Sequence, residues 1–175
     1  MSEYKIRKAV KEDCKCILGY IKELAEFEKM LDDVKISSED LERDGFGDKP
    51  LYQCLVAEEN TGNKVVAYCF YYPMYSTFAG RSIYLEDLYV TPEHRGFRLA
   101  SSLIRHLSKI ELEKGCAKIR FAVLEWNERA YEIYKYLEAD DLTEAERWRF
   151  MTWNQEAVKK LASVELPPNI HVDMQ

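Results

Sequence analysis

Two adjacent carboxylates, Glu86 and Asp87, stand shortly before Arg95 and Gly96 in the run EDLYVTPEHRGFR (86–98). Paired carboxylates attract a cationic group and, when crowded, raise one another's pKa, which suits a general base near neutral pH. The Arg-Gly has the opposite preference. It sits where a helix must begin, and the first amides of a helix lack internal partners and draw anions, phosphates above all. Arginine adds charge there, and glycine lets the backbone approach a ligand. An acidic pair beside an anion cradle implies a phosphorylated cofactor meeting a cationic substrate.

The flanking residues supply the elements that such a junction needs. Tyr84, Leu85, Leu88, Tyr89 and Val90 are strand formers, and Thr91-Pro92 breaks the pattern. Leu99, Leu103, Leu107 and Ile110 then recur with helical period. A strand over 81–90, a helix over 97–114 closed by Gly115 and a strand over 117–124 make a right-handed crossover between parallel strands. A cleft can open where the carboxyl ends of that pair diverge.

Upstream, the sequence predicts a strand over 4–8 and a helix capped by Asp13 that runs to about Met30, with Ile17, Leu18, Ile21, Leu24 and Ala25 on one side. A short helix starts at Ser37 or Ser38 and stops at Gly45. Strands over 52–58 and 64–74 pair antiparallel across Thr61-Gly62-Asn63. Downstream come a helix from Asn127 to Leu137, a late strand from Trp148 to Trp153, and a tail over 166–175 containing Pro167-Pro168. The order is α/β with early hairpins: a mixed sheet flanked by helices, in a single domain over 1–165.

Composition narrows the partners. The chain has 175 residues, 47% apolar and 32% charged, as an ordinary globular protein has, and its net charge of −6 argues against nucleic acid. Five cysteines form no CxxC pair, and Cys54 and Cys69 sit in apolar strand-like runs as buried thiols do. His94, His106 and His171 are scattered, so no metal site is expected. The start MSEYKIRKA has no apolar core of a signal peptide, and no apolar run reaches membrane-spanning length. A reduced, cytoplasmic location without membrane partner is the default.

Individual residues carry further expectations. Glu86 and Asp87, as strand neighbours, face opposite sides, one toward the cleft and the other toward a sheet face or helix. Tyr134 lies mid-helix in NERAYEIYKYL beyond the second strand, where a phenol can donate a proton to a leaving group. Asn127 is either a plain N-cap or a cap that also touches a ligand, and Ser101 and Ser102 can reach a phosphate or merely cap. Cys116 has no nearby histidine in sequence, so covalent catalysis has little support. Neither a P-loop nor a dinucleotide glycine fingerprint is present.

Together these segments resemble the GNAT N-acetyltransferase superfamily over roughly residues 4–165, and most nearly its diamine (spermidine/spermine) and thialysine branch. The likeness is carried by KELAEFEKM (22–30), DGFGDKPLYQCLVAE (44–58), YSTFAGRSIYLEDLYV (75–90), HRGF (94–97), EWNERA (125–130) and DLTEAERW (141–148). Ser76-Thr77 and DLTEAE resemble the thialysine enzymes more than the polyamine ones. The resemblance implies the acyl-CoA N-acyltransferase fold, with its mixed sheet splayed at a parallel strand pair. It implies acetyl-CoA as co-substrate, no metal, a primary amine of thialysine or a polyamine as acceptor, direct attack in a ternary complex, and a homodimer.

The resemblance also implies roles. Leu88, Tyr89 and Val90 would receive the pantetheine. Arg95, Gly96, Phe97, Arg98, Leu99, Ala100 and Ser101 would hold the pyrophosphate, and Asn127, Glu128, Arg129 and Ala130 would add CoA contacts. Tyr134 would be the general acid. Phe27, Glu28, Glu86, Asp87 and Glu146 would line the amine site, with Glu86 the base through water. Two positions depart from the family pattern: Arg98 replaces the central glycine of the phosphate loop, and Glu138 replaces a glycine after the Tyr134 helix. Glu138 falls at an expected C-terminal cap, where a positive φ would be costly, while Arg98 either pairs with phosphate or obstructs a close backbone approach. Two other readings stay open: a weak CoA binder serving as a protein-interaction module, and a protein-lysine acetyltransferase.

Overall fold

The computed structural model describes residues 3–165, 167, 169, 170 and 172. Residues 1–137 and 138–175 form two compact units. The first holds a five-stranded sheet in the order β1 (Tyr4–Lys8), β2 (Gln53–Glu59), β3 (Lys64–Ser76), β4 (Gly80–Val90) and β5 (Lys118–Arg120). Every neighbouring pair is antiparallel except β4 with β5. No helix among the described residues is long and apolar enough to cross a membrane.

The sheet is covered on both faces, which is why β2 and β3 read as nearly continuous apolar runs. Leu55 and Ala57 of β2, with Cys69, Tyr71 and Leu85, pack against α3 (Leu99–Glu113) through Leu99, Leu103 and Leu107. The alternate residues Cys54, Val56, Tyr68 and Tyr89 face α1 (Cys14–Phe27) and α2 (Ser38–Phe46), meeting Cys14, Ile17, Tyr20 and Leu41. The Tyr20 hydroxyl donates to the Val65 carbonyl at 2.6 Å and ties α1 to the sheet.

Several local expectations shift at element ends. Asp13 occupies the N-cap position of α1 but does not cap it. Its carboxylate instead takes the Arg7 guanidinium at 2.6 and 3.0 Å and the Val10 amide at 2.8 Å, a buried ion pair that outcompetes a cap. The helix ends at Phe27, and Lys29 turns the chain at φ 61°. Ser37 caps α2 in a reciprocal box with Asp40, and the helix runs past Gly45 to Gly47. Gly45 is a packing residue: a Cβ there would lie 2.3 Å from the Tyr52 ring.

Two strand expectations need correction. The strand expected over 117–124 is only three residues, paired Ser82↔Lys118, Ile83↔Ile119 and Tyr84↔Arg120. Beyond Arg120 the chain leaves β4, so ladder bonds stop and Leu85–Val90 has no β5 partner. The late strand expected from Trp148 to Trp153 is absent. The second unit has α5 (Leu142–Glu146) and α6 (Gln155–Ala162), with 147–154 in no ladder and Trp148, Phe150, Met151 and Trp153 exposed. Alternating apolar residues make a strand only where an edge is available to pair. The expected tail over 166–175 lies mostly outside the described residues, His171 with it.

Candidate functional site

A cavity of about 1130 Å³ opens in the first unit where β4 and β5 separate. Its walls come from three places: 88–90 at the end of β4, 94–96 and 98–102 entering α3, and 126–130 leading into α4 (Glu128–Tyr136). Phe27 and Tyr134 complete it.

One wall is basic and open. Gly96 at φ 89° and Arg98 at φ 61° turn the chain into α3, whose first turn receives no side-chain cap. Ser37 caps α2, and Asn127 caps α4 by accepting the Ala130 amide at 3.3 Å, whereas α1 and α3 both lack a side-chain cap. Free first-turn amides and the positive dipole end therefore face the cavity mouth unopposed. Arg95 donates to the Val90 carbonyl at 3.0 Å, and its guanidinium lies 5.9 Å from the Tyr89 ring centre. The Ser101 hydroxyl donates locally to the Arg98 carbonyl at 2.9 Å. Phe97 does not line the cavity; its ring rests against Tyr4 at 6.0 Å.

The acidic wall lies outside the cavity's own lining, which includes none of Glu28, Glu86 and Asp87 but does include Tyr134, whose phenol feels Glu28 and Asp87; here the strand register overturns an expectation. Tyr71 opposes Leu85 while Phe70 opposes Asp87, so Glu86 is an extra residue in a β-bulge. The bulge cancels the usual alternation. Asp87 accepts the Tyr68 hydroxyl at 3.0 Å, and Glu86 acts on Tyr72, four residues along the same face of β3. Both carboxylates thus face the α1 side, rather than opposite sides of the sheet. Burial pushes Asp87 up to about 6, with Glu86 and Glu28 adding repulsion and the Tyr68 hydrogen bond opposing the rise. Burial also raises Glu28, just past the end of α1.

Tyr134 projects from α4 with its ring 4.5 Å from that of Phe121. Burial, then the fields of Cys69, Glu28 and Asp87, push its phenol up to about 12, so it keeps its proton at neutral pH. Asn127 to Ala130 line the cavity as expected for the start of that helix. Glu146 belongs to the second unit, where it accepts the Trp148 indole N–H. Tyr68 and Trp126 were not singled out by sequence reasoning. Tyr68 is one of many tyrosines in an apolar run, and only the register shows that its hydroxyl meets Asp87.

Fold and cavity together define a cleft at the parting of a parallel strand pair, entered by the start of α3 on one side and the start of α4 on the other. Residues 19–138 match the model of the acetyltransferase (GNAT) family. A thialysine N-epsilon-acetyltransferase of Bos taurus is 52% identical over 163 residues, which cover 90% of this chain and 96% of that protein. Among solved structures, an integron cassette protein from the mobile metagenome of V. cholerae superposes with a TM-score of 0.73 at 22% identity, covering 92% of this chain and 98% of that one. An aminoglycoside N-acetyltransferase in complex with CoA gives 0.64 at 17% identity, covering 89% and 96%; these two share the fold. The chain belongs to the acetyltransferase (GNAT) family, in its thialysine and polyamine branch, and is an enzyme that transfers acetyl to an amine.

Proposed function

We propose that the cavity takes acetyl-CoA along the freed edge of β4 and acetylates a primary amine of a small cationic substrate, thialysine or a polyamine, with both held at once. The observation that carries this reading is the polarity around one cavity: an uncapped helix start with arginines in its lining, and Tyr134, also in the lining, within the field of the carboxylates Glu28 and Asp87. Acetyl-CoA would supply an activated thioester carbonyl. The α3 amides, Arg95 and Arg98 would hold its diphosphate, and the β4 backbone at Leu88 to Val90, paired to β3 on one edge and without a β5 partner on the other, would offer an N–H on that open edge to a carbonyl. Asn127 to Ala130 would add contacts to the carrier.

The acidic wall handles the amine. A protonated amine is not a nucleophile, so Glu28, Glu86 and Asp87 first attract it and a carboxylate then removes a proton. Glu86 is exposed and acts through a water. Asp87 is the rival base, favoured by its burial and its value near 6. Tyr134, still a phenol, returns a proton to the departing thiolate. Direct attack is supported by the thiol nearest this machinery: Cys69 is fully buried and pushed up to about 12, unfit as a nucleophile. Holding both partners together supplies the remaining advantage.

The strained Arg98 favours a second reading, in which CoA binds weakly and the chain serves as an interaction module. Acetyl-CoA consumption with thialysine, spermidine and spermine, alongside calorimetric CoA titration, separates the two. Turnover with at least one amine supports the enzyme reading in full; no heat of CoA binding at millimolar levels refutes it. Sedimentation of the same preparation tests the homodimer that the resemblance implies.

A further inference from the structure

Trp126 stands at the cavity wall, 50% exposed, with no role yet in the chemistry above. Its indole packs against Phe27, itself 48% exposed, with ring centroids 5.3 Å apart. The Lys29 ammonium lies 5.9 Å over the Trp126 ring centre. Lys29 is exposed and adopts φ 61°, a left-handed conformation that lysine takes only under strain. Between Phe27 and Lys29 lies Glu28, half-buried and raised by that burial. A cation resting on an aromatic face therefore adjoins, along the chain, the carboxylate of Glu28.

We propose that the Trp126 face, flanked by Phe27, is a cation subsite for the incoming alkylammonium, and that Lys29 is a stand-in which the substrate displaces. This rests on the reading that the acceptor is a cationic amine. The indole attracts an ammonium through its ring quadrupole without carrying charge. A further carboxylate there would add repulsion to Asp87, already raised by Glu86 and Glu28. A neutral aromatic face recruits the cation without that repulsion. Exchange of one ammonium for another leaves the charge at the ring unchanged, so Lys29 acts as a tethered competitor and raises KM.

The test is a double-mutant cycle on amine kinetics with the full chain and saturating acetyl-CoA. Trp126→Leu is expected to raise the amine KM about threefold to tenfold, and Trp126→Phe to fall between it and wild type. Lys29→Met is expected to lower KM about threefold, and to have no such effect once Trp126 is Leu. An equal fall in KM in both backgrounds overturns the proposal, because Lys29 would then act only through its field. Equal loss of CoA affinity in Trp126→Leu, read by calorimetry, also overturns it, because the residue would then serve the start of α4. An enzyme that acetylates no amine sinks the acceptor reading itself, whereas turnover without this pattern sinks only the subsite.

Discussion

On the acidic wall, Asp87 is buried against Tyr68 and held up to about 6; on the basic wall, Arg98 stands exposed on a left-handed turn before a helix that no side chain caps. The first wall works by excluding water from a carboxylate. The second leaves the first-turn amides of α3 without a side-chain cap, beside the Arg95 guanidinium that Val90 and Tyr89 hold in place. Each holds an arrangement that destabilises the folded chain, one through desolvation and the other through backbone strain. The comparison teaches that function here should trade against stability on both sides, by different physics and with different pH dependence.

Tyr134 lies where the two walls meet, and its loss should have the largest effect. Tyr134→Phe keeps the ring against Phe121 and is expected to lower kcat about a hundredfold or more, with CoA affinity by calorimetry unchanged. Asp87→Asn comes next, with about a tenfold to hundredfold loss in kcat/KM. A larger loss from Glu86→Gln than from Asp87→Asn would assign the base to Glu86.

The same Asp87→Asn variant sharpens the stability side. Because the folded pKa of Asp87 is raised from 3.8 to about 6, its contribution to stability is complete below about pH 3.8 and is lost as pH rises through 6. Asn does not ionise, so the variant is expected to unfold at higher urea than wild type at pH 7 and to lose that advantage by about pH 4. Equal shifts at both pH values would break the desolvation account.

Arg98→Gly probes the opposite wall with a smaller effect. Relief of the left-handed strain, offset by the greater freedom of glycine when unfolded, should add about 1 kcal/mol of stability at every pH. Loss of the guanidinium should weaken CoA about threefold by calorimetry. Tighter CoA binding instead would mean that the side chain obstructs the cradle. Tyr68→Phe should have the smallest effect. Removing the hydroxyl from Asp87 raises that carboxyl further, so the acid limb of kcat/KM is expected to move up by less than about one pH unit.

Much of this architecture was legible in the chain. Leu99, Leu103 and Leu107 at helical spacing predicted α3, and the strand formers before Thr91-Pro92 predicted β4. One missing glycine was legible in its conformation: Glu138, expected at a cap with positive φ, stands at 65°, whereas the 61° at Arg98 came from the structure. The acidic wall was not. Period-two alternation placed Glu86 and Asp87 on opposite faces, and one inserted residue in the ladder with β3 reversed that. Asp13 looked like a cap but was taken by Arg7, which is close in space through β1 rather than through the helix. The late strand failed because alternation states a preference, while a ladder needs a partner.

Sequence by itself determined which side chains carry charge, which segments repeat with period two or 3.6, and where a helix start follows a strand. These are properties of neighbours along the chain. Only the tertiary structure decided that β4 and β5 part after Tyr84 and Arg120, that Glu86 and Asp87 share one face, that Tyr68 meets Asp87, and that Trp126 packs on Phe27 at the cavity. Hydrogen-bond register and burial are set by segments distant in sequence, so no local pattern encodes them.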